Sequence, residues 1–149
     1  MNKIKGFVIT GFLGSGKTTL LRNLLSMEED LSRVAVVLND FGRIGIDGQL
    51  LKSPGLEVVE MGSGCICCTL QIDLQSTLLK LIENYCPQLI FIEASGIADP
   101  SAIKTALNSD PLKDYIELSK VVAVLEADSW DAREVFGNVF SAQLEAADI

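Results

Sequence analysis

Residues 11–18 read GFLGSGKT, a glycine-rich stretch that ends in lysine and threonine. This order matches the pattern GxxxxGK followed by serine or threonine, and it lies between a predicted strand and a predicted helix. In such a loop the backbone N–H groups of Gly14, Ser15, Gly16, Lys17 and Thr18 converge on phosphate oxygens at a helix N-terminus. The lysine reaches the outer phosphates, and the threonine hydroxyl ligates Mg²⁺. The segment therefore predicts a nucleotide-phosphate site with magnesium; the alternative is a glycine-rich turn that binds nothing.

Two acids at the carboxyl ends of other predicted strands are candidates for the same chemistry. Glu93 ends the run LIFIE, at the strand edge where open parallel sheets bind ligands, so we expect it to bind magnesium directly or through water. The alternative is that Glu93 caps the next turn. Gly96 would let the backbone pass close to a terminal phosphate. Asp40, in NDFGRIGID, would hold or orient the metal or the attacking water; a solvated loop acid is the alternative.

Three thiols lie close together in the segment GSGCICCT, at Cys65, Cys67 and Cys68. Three thiolates from one tight loop can face a single soft or borderline metal ion and leave a fourth coordination position open, which suits metal transfer. Two alternatives remain, namely small buried hydrophobic residues or a redox pair formed by Cys65 and Cys68. Cys86, isolated before a proline, is predicted to pack in the core.

Composition narrows the class of protein. The 149 residues suit a single domain, and 48% hydrophobic against 21% charged residues predicts a globular core. A formal charge of −8 disfavours nucleic acid, and the absence of histidine excludes imidazole catalysis and imidazole zinc sites. No apolar run approaches the roughly twenty residues needed to cross a bilayer, so we expect no membrane association. Crowded cysteines fit reduced thiols, which predicts a cytoplasmic protein.

These residues need a scaffold of strands alternating with helices. Apolar, β-branched runs predict five strands, at 4–10, 34–39, 56–60, 89–93 and 121–125. Helical spacing predicts helices after the glycine-rich loop, over Leu70 to Ile82, after Asp99 and Pro100, and over 129–147. Segments 42–55 and 108–120 are expected to be irregular. The fold class is therefore α/β, a mainly parallel sheet with helices on both faces in three layers.

Four segments, GFLGSGKTTLL, NDFGRIGID, EMGSGCICCT and IEASGIADP, occur in an order and spacing that closely resemble the CobW-type GTPases, relatives of the HypB and UreG nickel-insertion proteins. The resemblance implies a P-loop NTPase fold of the SIMIBI class, magnesium-dependent GTP hydrolysis, and a metallochaperone role with Zn²⁺ or Co²⁺. It matches the three clustered cysteines to the family's CxCC metal motif. It also places Gly14, Lys17, Thr18 and Thr19 on the phosphate and magnesium loop, Asp40 in the first switch, and Glu93 to Gly96 on an ExxG form of Walker B.

The partners implied by the same resemblance are a nucleotide, a transition metal, and a client metalloprotein or cobalamin-pathway enzyme, with a nucleotide-dependent homodimer as a candidate assembly. The 149 residues contain no NKxD guanine-reading motif. We therefore expect 1–149 to be an incomplete nucleotide-binding domain, the front part of a longer protein or a truncated relative, and a weak hydrolase. Guanine specificity is implied by the resemblance alone.

Two other functions are compatible with a phosphate loop: a P-loop kinase of a small metabolite, and an interaction module that does not hydrolyse nucleotide. The thiol cluster discriminates between them and a metallochaperone, because a small-molecule kinase has no evident use for adjacent thiols. An interaction module would tolerate Lys17→Ala without loss of binding.

Overall fold

The computed structural model describes residues 2–39, 53–61, 69–128 and 133–149. Within these ranges five strands form one sheet in the order β3-β2-β4-β1-β5, and every neighbouring pair is parallel. The strands are β1 (Ile4–Thr10), β2 (Val34–Leu38), β3 (Glu57–Glu60), β4 (Leu89–Glu93) and β5 (Ile116–Ala123).

Four helices connect and follow these strands in the described part of the chain: α1 (Lys17–Ser26), α2 (Thr69–Tyr85), α3 (Pro100–Leu107) and α4 (Arg133–Ala146). The predicted start of α3 is confirmed, because Asp99 Oδ1 accepts a hydrogen bond from the Ser101 N–H at 2.8 Å and Pro100 occupies the first turn. Residues 129–132, where the fourth helix was expected to begin, lie outside the described ranges. No helix among the described residues is long and apolar enough to cross a membrane.

The inner strands contribute to a core on each face of the sheet, since successive strand residues point to opposite sides. In β4, Phe91 belongs to one core cluster, whereas Ile90 and Ile92 belong to the other. Helix α1 covers the first face, and α2 and α3 cover the second. The buried helix residues are Leu21 and Leu25 on the first face, and Leu74, Leu78, Leu81, Ile103, Ala106 and Leu107 on the second. The three-layer α/β architecture expected from the sequence is confirmed.

The prediction for β5 was partly wrong. The strand begins at Ile116 rather than Val121, so the last five residues of the segment expected to be irregular, 116–120, are extended. β5 is an edge strand that pairs only with β1 among the described strands, and its residues Glu117 and Lys120 are exposed. Because of these charged residues, β5 lacks the continuous apolar run by which the inner strands were predicted. The register with β1 also shifts between Gly6 and Phe7.

The prediction that Cys86 packs in the core was also wrong, because its side chain is exposed. Cys86 follows the last turn of α2, with its N–H bonded to the Ile82 carbonyl at 3.1 Å and a positive φ of 46°. This left-handed residue ends the helix and turns the chain toward β4. The position serves the helix terminus rather than the core.

Candidate nucleotide-binding site

The loop between β1 and α1 has glycines with positive φ at three positions, Gly11, Gly14 and Gly16, and at the last two the backbone conformation is the sole constraint. Gly14 has φ of +82° and Gly16 has φ of +97°, both in the left-handed region that other residues rarely adopt. A Cβ atom at either position would meet nothing within 4 Å, so backbone conformation rather than space is the constraint. Gly16 is the residue immediately before α1. The loop therefore turns directly into a helix N-terminus, where free N–H groups favour anions.

The Phe12 carbonyl accepts two hydrogen bonds that stabilise the loop. It accepts hydrogen bonds from the Ser15 N–H at 3.1 Å and from Lys17 Nζ at 3.2 Å. Lys17 is only 8% exposed, so its ammonium lies along the loop instead of extending into solvent. The first turn of α1 itself contains no acidic residue, which favours anions at this helix N-terminus. The arrangement is electrostatically suited to phosphate oxygens.

Thr18 and Glu93 meet across the sheet edge. The Thr18 hydroxyl donates a hydrogen bond to Glu93 Oε1 at 2.9 Å. Glu93 is the last residue of β4, pairs in register with Ile9 of β1, and is 4% exposed. A hydroxyl and a carboxylate are oxygen ligands of the kind that Mg²⁺ takes from proteins. The two residues predicted as magnesium ligands from separate motifs therefore lie together, and their chemistry fits that ion.

Gly96 lies against the loop. A Cβ atom at this position would be 2.7 Å from the Leu13 amide nitrogen and 2.9 Å from Leu13 Cα, so only glycine allows this approach of two backbones. Gly96 therefore lies against the backbone of Leu13, and its expected closeness to a terminal phosphate stays a prediction. The Gly96 carbonyl accepts a hydrogen bond from Gln143 Nε2 at 3.1 Å.

Gln143 is not among the residues predicted from the sequence. A signal was present, because Gln143 follows the buried Phe140 by three positions and precedes the buried Ala146 by three, so it shares the inner face of α4. A polar residue on an apolar helix face requires a buried partner. Here the partner is the Gly96 carbonyl.

Other predicted site residues are placed only in part. Ser15 lies in the loop, and its Oγ is buried without a hydrogen-bond partner among the described residues, whereas Thr19 is exposed on α1. Asp40 and the three clustered cysteines, Cys65, Cys67 and Cys68, lie outside the described residues. Within the described ranges no group of three or more His, Cys, Asp or Glu side chains is arranged to hold a metal.

The strand leading to Asp40 is nevertheless tied to the site. The Asn39 N–H, directly after β2, donates to the Glu93 carbonyl at 2.9 Å. Asn39 is buried, and its Nδ2 has no hydrogen-bond partner among the described residues. The chain therefore enters the segment containing Asp40 from a position beside Glu93.

A parallel sheet with a glycine-rich loop opening a helix at its carboxyl edge defines a P-loop nucleotide-binding fold. The sequence profile described as "CobW/HypB/UreG, nucleotide-binding domain" matches residues 5–149. The chain belongs to this family.

Curated relatives agree with this assignment. The zinc chaperone CobW of Sinorhizobium sp is 41% identical over 132 residues, covering 84% of this chain and 37% of the relative. The zinc chaperone YeiR of Escherichia coli is 36% identical over 143 residues, covering 95% of this chain and 44% of the relative. The chain thus spans less than half the length of these relatives.

Solved structures show the same fold. The Zn(II)-bound YjiA GTPase from E. coli matches with a TM-score of 0.66 and 26% identity, over 99% of this chain and 48% of that one. The hydrogenase maturation factor HypB from Archaeoglobus fulgidus matches with a TM-score of 0.65 at 18% identity, over 98% of this chain and 64% of that one.

Proposed function

We propose that this chain is the magnesium-dependent GTP-binding and hydrolysing part of a metallochaperone that delivers zinc or cobalt to a client metalloprotein. The observation that best supports nucleotide binding is the hydrogen bond from Thr18, at the start of α1, to Glu93. The loop that precedes α1 also lies against Gly96. The metal half rests on the three clustered thiols and on relatives described as zinc chaperones. Residues 1–149 would act together as one nucleotide-binding domain.

The nucleotide's phosphates would be held by the backbone N–H groups of residues 14–18 and by the Lys17 ammonium. Lys17 would exchange its 3.2 Å contact with the Phe12 carbonyl for the outer phosphates, which are stronger acceptors because they are charged. Thr18 and Glu93 would hold Mg²⁺, which supplies Lewis-acid neutralisation of phosphate charge. Glu93 is already oriented by the Thr18 hydroxyl, so little side-chain reorganisation is required.

Hydrolysis needs a group that orients water in line with the terminal phosphate. We assign this role to Asp40, the residue after Asn39. Since the Asn39 N–H is bonded to the Glu93 carbonyl at 2.9 Å, Asp40 follows a strand end that lies beside the magnesium carboxylate. Gly96 would let the backbone lie close to the same phosphate, because it carries no side chain where Leu13 is nearest.

The metal would be held by the thiolates of Cys65, Cys67 and Cys68, with the fourth position left open for transfer to a client. The chain leaves β3 for this segment at the same edge of the sheet as Glu93. The Met61 N–H, just after β3, bonds to the Leu38 carbonyl at 2.9 Å, and Leu38 of β2 pairs in register with Glu93. β3 and β1 are separated by β2 and β4, so this exit point is about 14 Å from the end of β1 at the usual strand spacing. Nucleotide state and metal affinity would be coupled through the segments that leave this edge of the sheet.

The experiment is an anaerobic titration of the reduced chain with Zn²⁺ and with Co²⁺, in the presence of Mg²⁺ and either GDP or a non-hydrolysable GTP analogue. We expect the metal affinity to differ between the two nucleotide states by about fivefold to a hundredfold, the usual size of an allosteric coupling. The metal must then change the triphosphate-to-diphosphate preference by the same factor. Equal metal affinities in the two states would contradict the coupled function.

A further inference from the structure

Gln143 is a fully buried polar residue far from the motifs of the nucleotide site. It lies on α4 with 0% of its surface exposed, and its Nε2 donates to the Gly96 carbonyl, 47 positions away, at 3.1 Å. Burying an amide costs free energy unless it is hydrogen-bonded, so an apolar residue would suit this face of the helix better if packing were its only role. Its Oε1 has no hydrogen-bond partner among the described residues.

The end of α4 that carries Gln143 is anchored on two sides. Lys104 Nζ of α3 donates to the Ala146 carbonyl at 3.1 Å, less than one helical turn after Gln143. Just beyond the helix, Asp148 Oδ2 accepts from the Val121 N–H of β5 at 2.7 Å. Gln143 therefore acts on Gly96 from a position fixed by a neighbouring helix and by the sheet.

Both peptide groups that flank Gly96 are constrained. The Ser95 carbonyl accepts the Ala98 N–H at 3.0 Å, and the Gly96 carbonyl accepts Gln143 Nε2. Peptide groups are planar, and in the trans form each N–H points opposite to the carbonyl of its own unit. Because the Ser95 carbonyl points to Ala98, the N–H of the same peptide group, that of Gly96, points away from Ala98. Because the Gly96 carbonyl points to Gln143, the Ile97 N–H points away from α4.

The constrained glycine lies where it contacts the phosphate loop, since a Cβ on Gly96 would be 2.7 Å from the Leu13 nitrogen. A rotation of the peptide group after Gly96 would move the backbone that borders this loop. Gln143 opposes that rotation with a hydrogen bond that is shielded from water.

We propose that Gln143 is a positioning residue that sets the peptide group after Gly96 for recognition of a terminal phosphate, and so links α4 to the distinction between nucleoside triphosphate and diphosphate. The inference rests on the proposed nucleotide-binding function. Gln143 itself does not touch the nucleotide. Its hydrogen bond strengthens the binding of a nucleoside triphosphate and leaves the affinity for a diphosphate unchanged.

The test replaces Gln143 by methionine, which is similar in length and has no N–H donor. The control is Gln75→Met, which removes a partly buried hydrogen bond between α2 and the end of α3, from Gln75 Nε2 to Ser109 Oγ at 2.6 Å. Calorimetry with Mg²⁺ measures binding of GDP and of a non-hydrolysable GTP analogue. We expect Gln143→Met to lower the triphosphate-to-diphosphate preference by about threefold to tenfold, the size of one hydrogen bond, with GDP affinity within about twofold of the parent. Gln75→Met should leave the preference unchanged.

A Gln143→Met chain that binds both nucleotides like the parent would overturn the positioning role and leave the proposed function standing. A parent chain that binds neither nucleotide would overturn both. A second measurement needs no variant: the side-chain amide NMR signal of Gln143 in the parent should shift when the triphosphate analogue replaces GDP. An unchanged signal would contradict the proposal even if the variant failed to fold.

Discussion

The Thr18 hydroxyl lies 2.9 Å from Glu93 Oε1 and donates a hydrogen bond to it, although the two residues are 75 positions apart in the chain. One residue belongs to the first turn of α1, and the other ends β4, the neighbour of β1 in the sheet. The contact joins the end of the glycine-rich segment 11–18 to Glu93, which belongs to a different sequence motif. It is the local arrangement on which the proposed magnesium site depends.

Replacing Thr18 by valine should weaken magnesium-dependent nucleotide binding by about tenfold or more, because the variant keeps the shape of threonine but has no hydroxyl to offer the ion or Glu93. Calorimetric titration of GDP with and without Mg²⁺ measures the effect. The control is Thr105→Val, which removes a hydroxyl hydrogen bond to the Ser101 carbonyl on α3. If magnesium strengthens GDP binding equally in the two variants, the role of Thr18 is wrong.

Glu93→Gln should reduce magnesium-dependent binding of GTP by about tenfold to a hundredfold, because the amide keeps the side chain's size but removes its charge. The residue is 4% exposed, so solvent offers little compensation. Glu117→Gln, an identical change at an exposed position of β5, serves as the control. Retention of parental affinity and hydrolysis by Glu93→Gln would favour a turn-capping role for the acid.

Gly96→Ala tests the contact between the two backbones. The new Cβ would be 2.7 Å from the Leu13 nitrogen, so we expect the free energy of unfolding to fall by about 1–3 kcal/mol and triphosphate binding to weaken. Gly137→Ala is the matched control: its Cβ would meet nothing within 4 Å in α4, and loss of a helical glycine should raise stability by about 0.5–1 kcal/mol. Chemical denaturation compares them, and similar effects from both changes would contradict the close approach.

The inner strands were predictable because they are buried on both faces and therefore read as continuous apolar runs. The bounds of β1 and β4 were confirmed as Ile4–Thr10 and Leu89–Glu93. The start of β5 was missed because this edge strand carries exposed charges such as Glu117, so its first half does not show the apolar pattern used to predict strands. Cys86 was misplaced because its role at a helix end depends on backbone conformation and not on hydrophobicity.

Residues of the candidate site could be proposed from the sequence where their spacing is local, and not where their contacts depend on packing between distant segments. The glycine-rich loop identifies Lys17 and Thr18 within a few residues. The contact of Gly96 with Leu13 and the hydrogen bond from Gln143 arise only when separate elements pack together. No periodicity specifies which carbonyl a buried glutamine will reach.

The thiol cluster carries its own prediction. Reduced chain titrated with Co²⁺ should develop a sulfur-to-metal charge-transfer band, and the affinity should fall as the pH is lowered, because protons compete for the thiolates. Replacing Cys65, Cys67 and Cys68 together by serine should abolish the band. Cys86→Ser, at an exposed thiol after α2, should leave it intact. A band that survives the triple change, or is absent from the parent, would contradict the metal site.

Residues 11–18 are proposed to bind the phosphates of a nucleotide, and replacement of Lys17 tests this role most directly. Lys17→Ala removes a largely buried ammonium that is 3.2 Å from the Phe12 carbonyl. The control, Lys3→Ala, removes an exposed lysine that bonds the Lys113 carbonyl at 2.7 Å. Calorimetry with GTP and Mg²⁺ should show parental affinity for Lys3→Ala and a loss of about tenfold to a hundredfold for Lys17→Ala. Equal affinity of the parent and Lys17→Ala would contradict the phosphate-binding account.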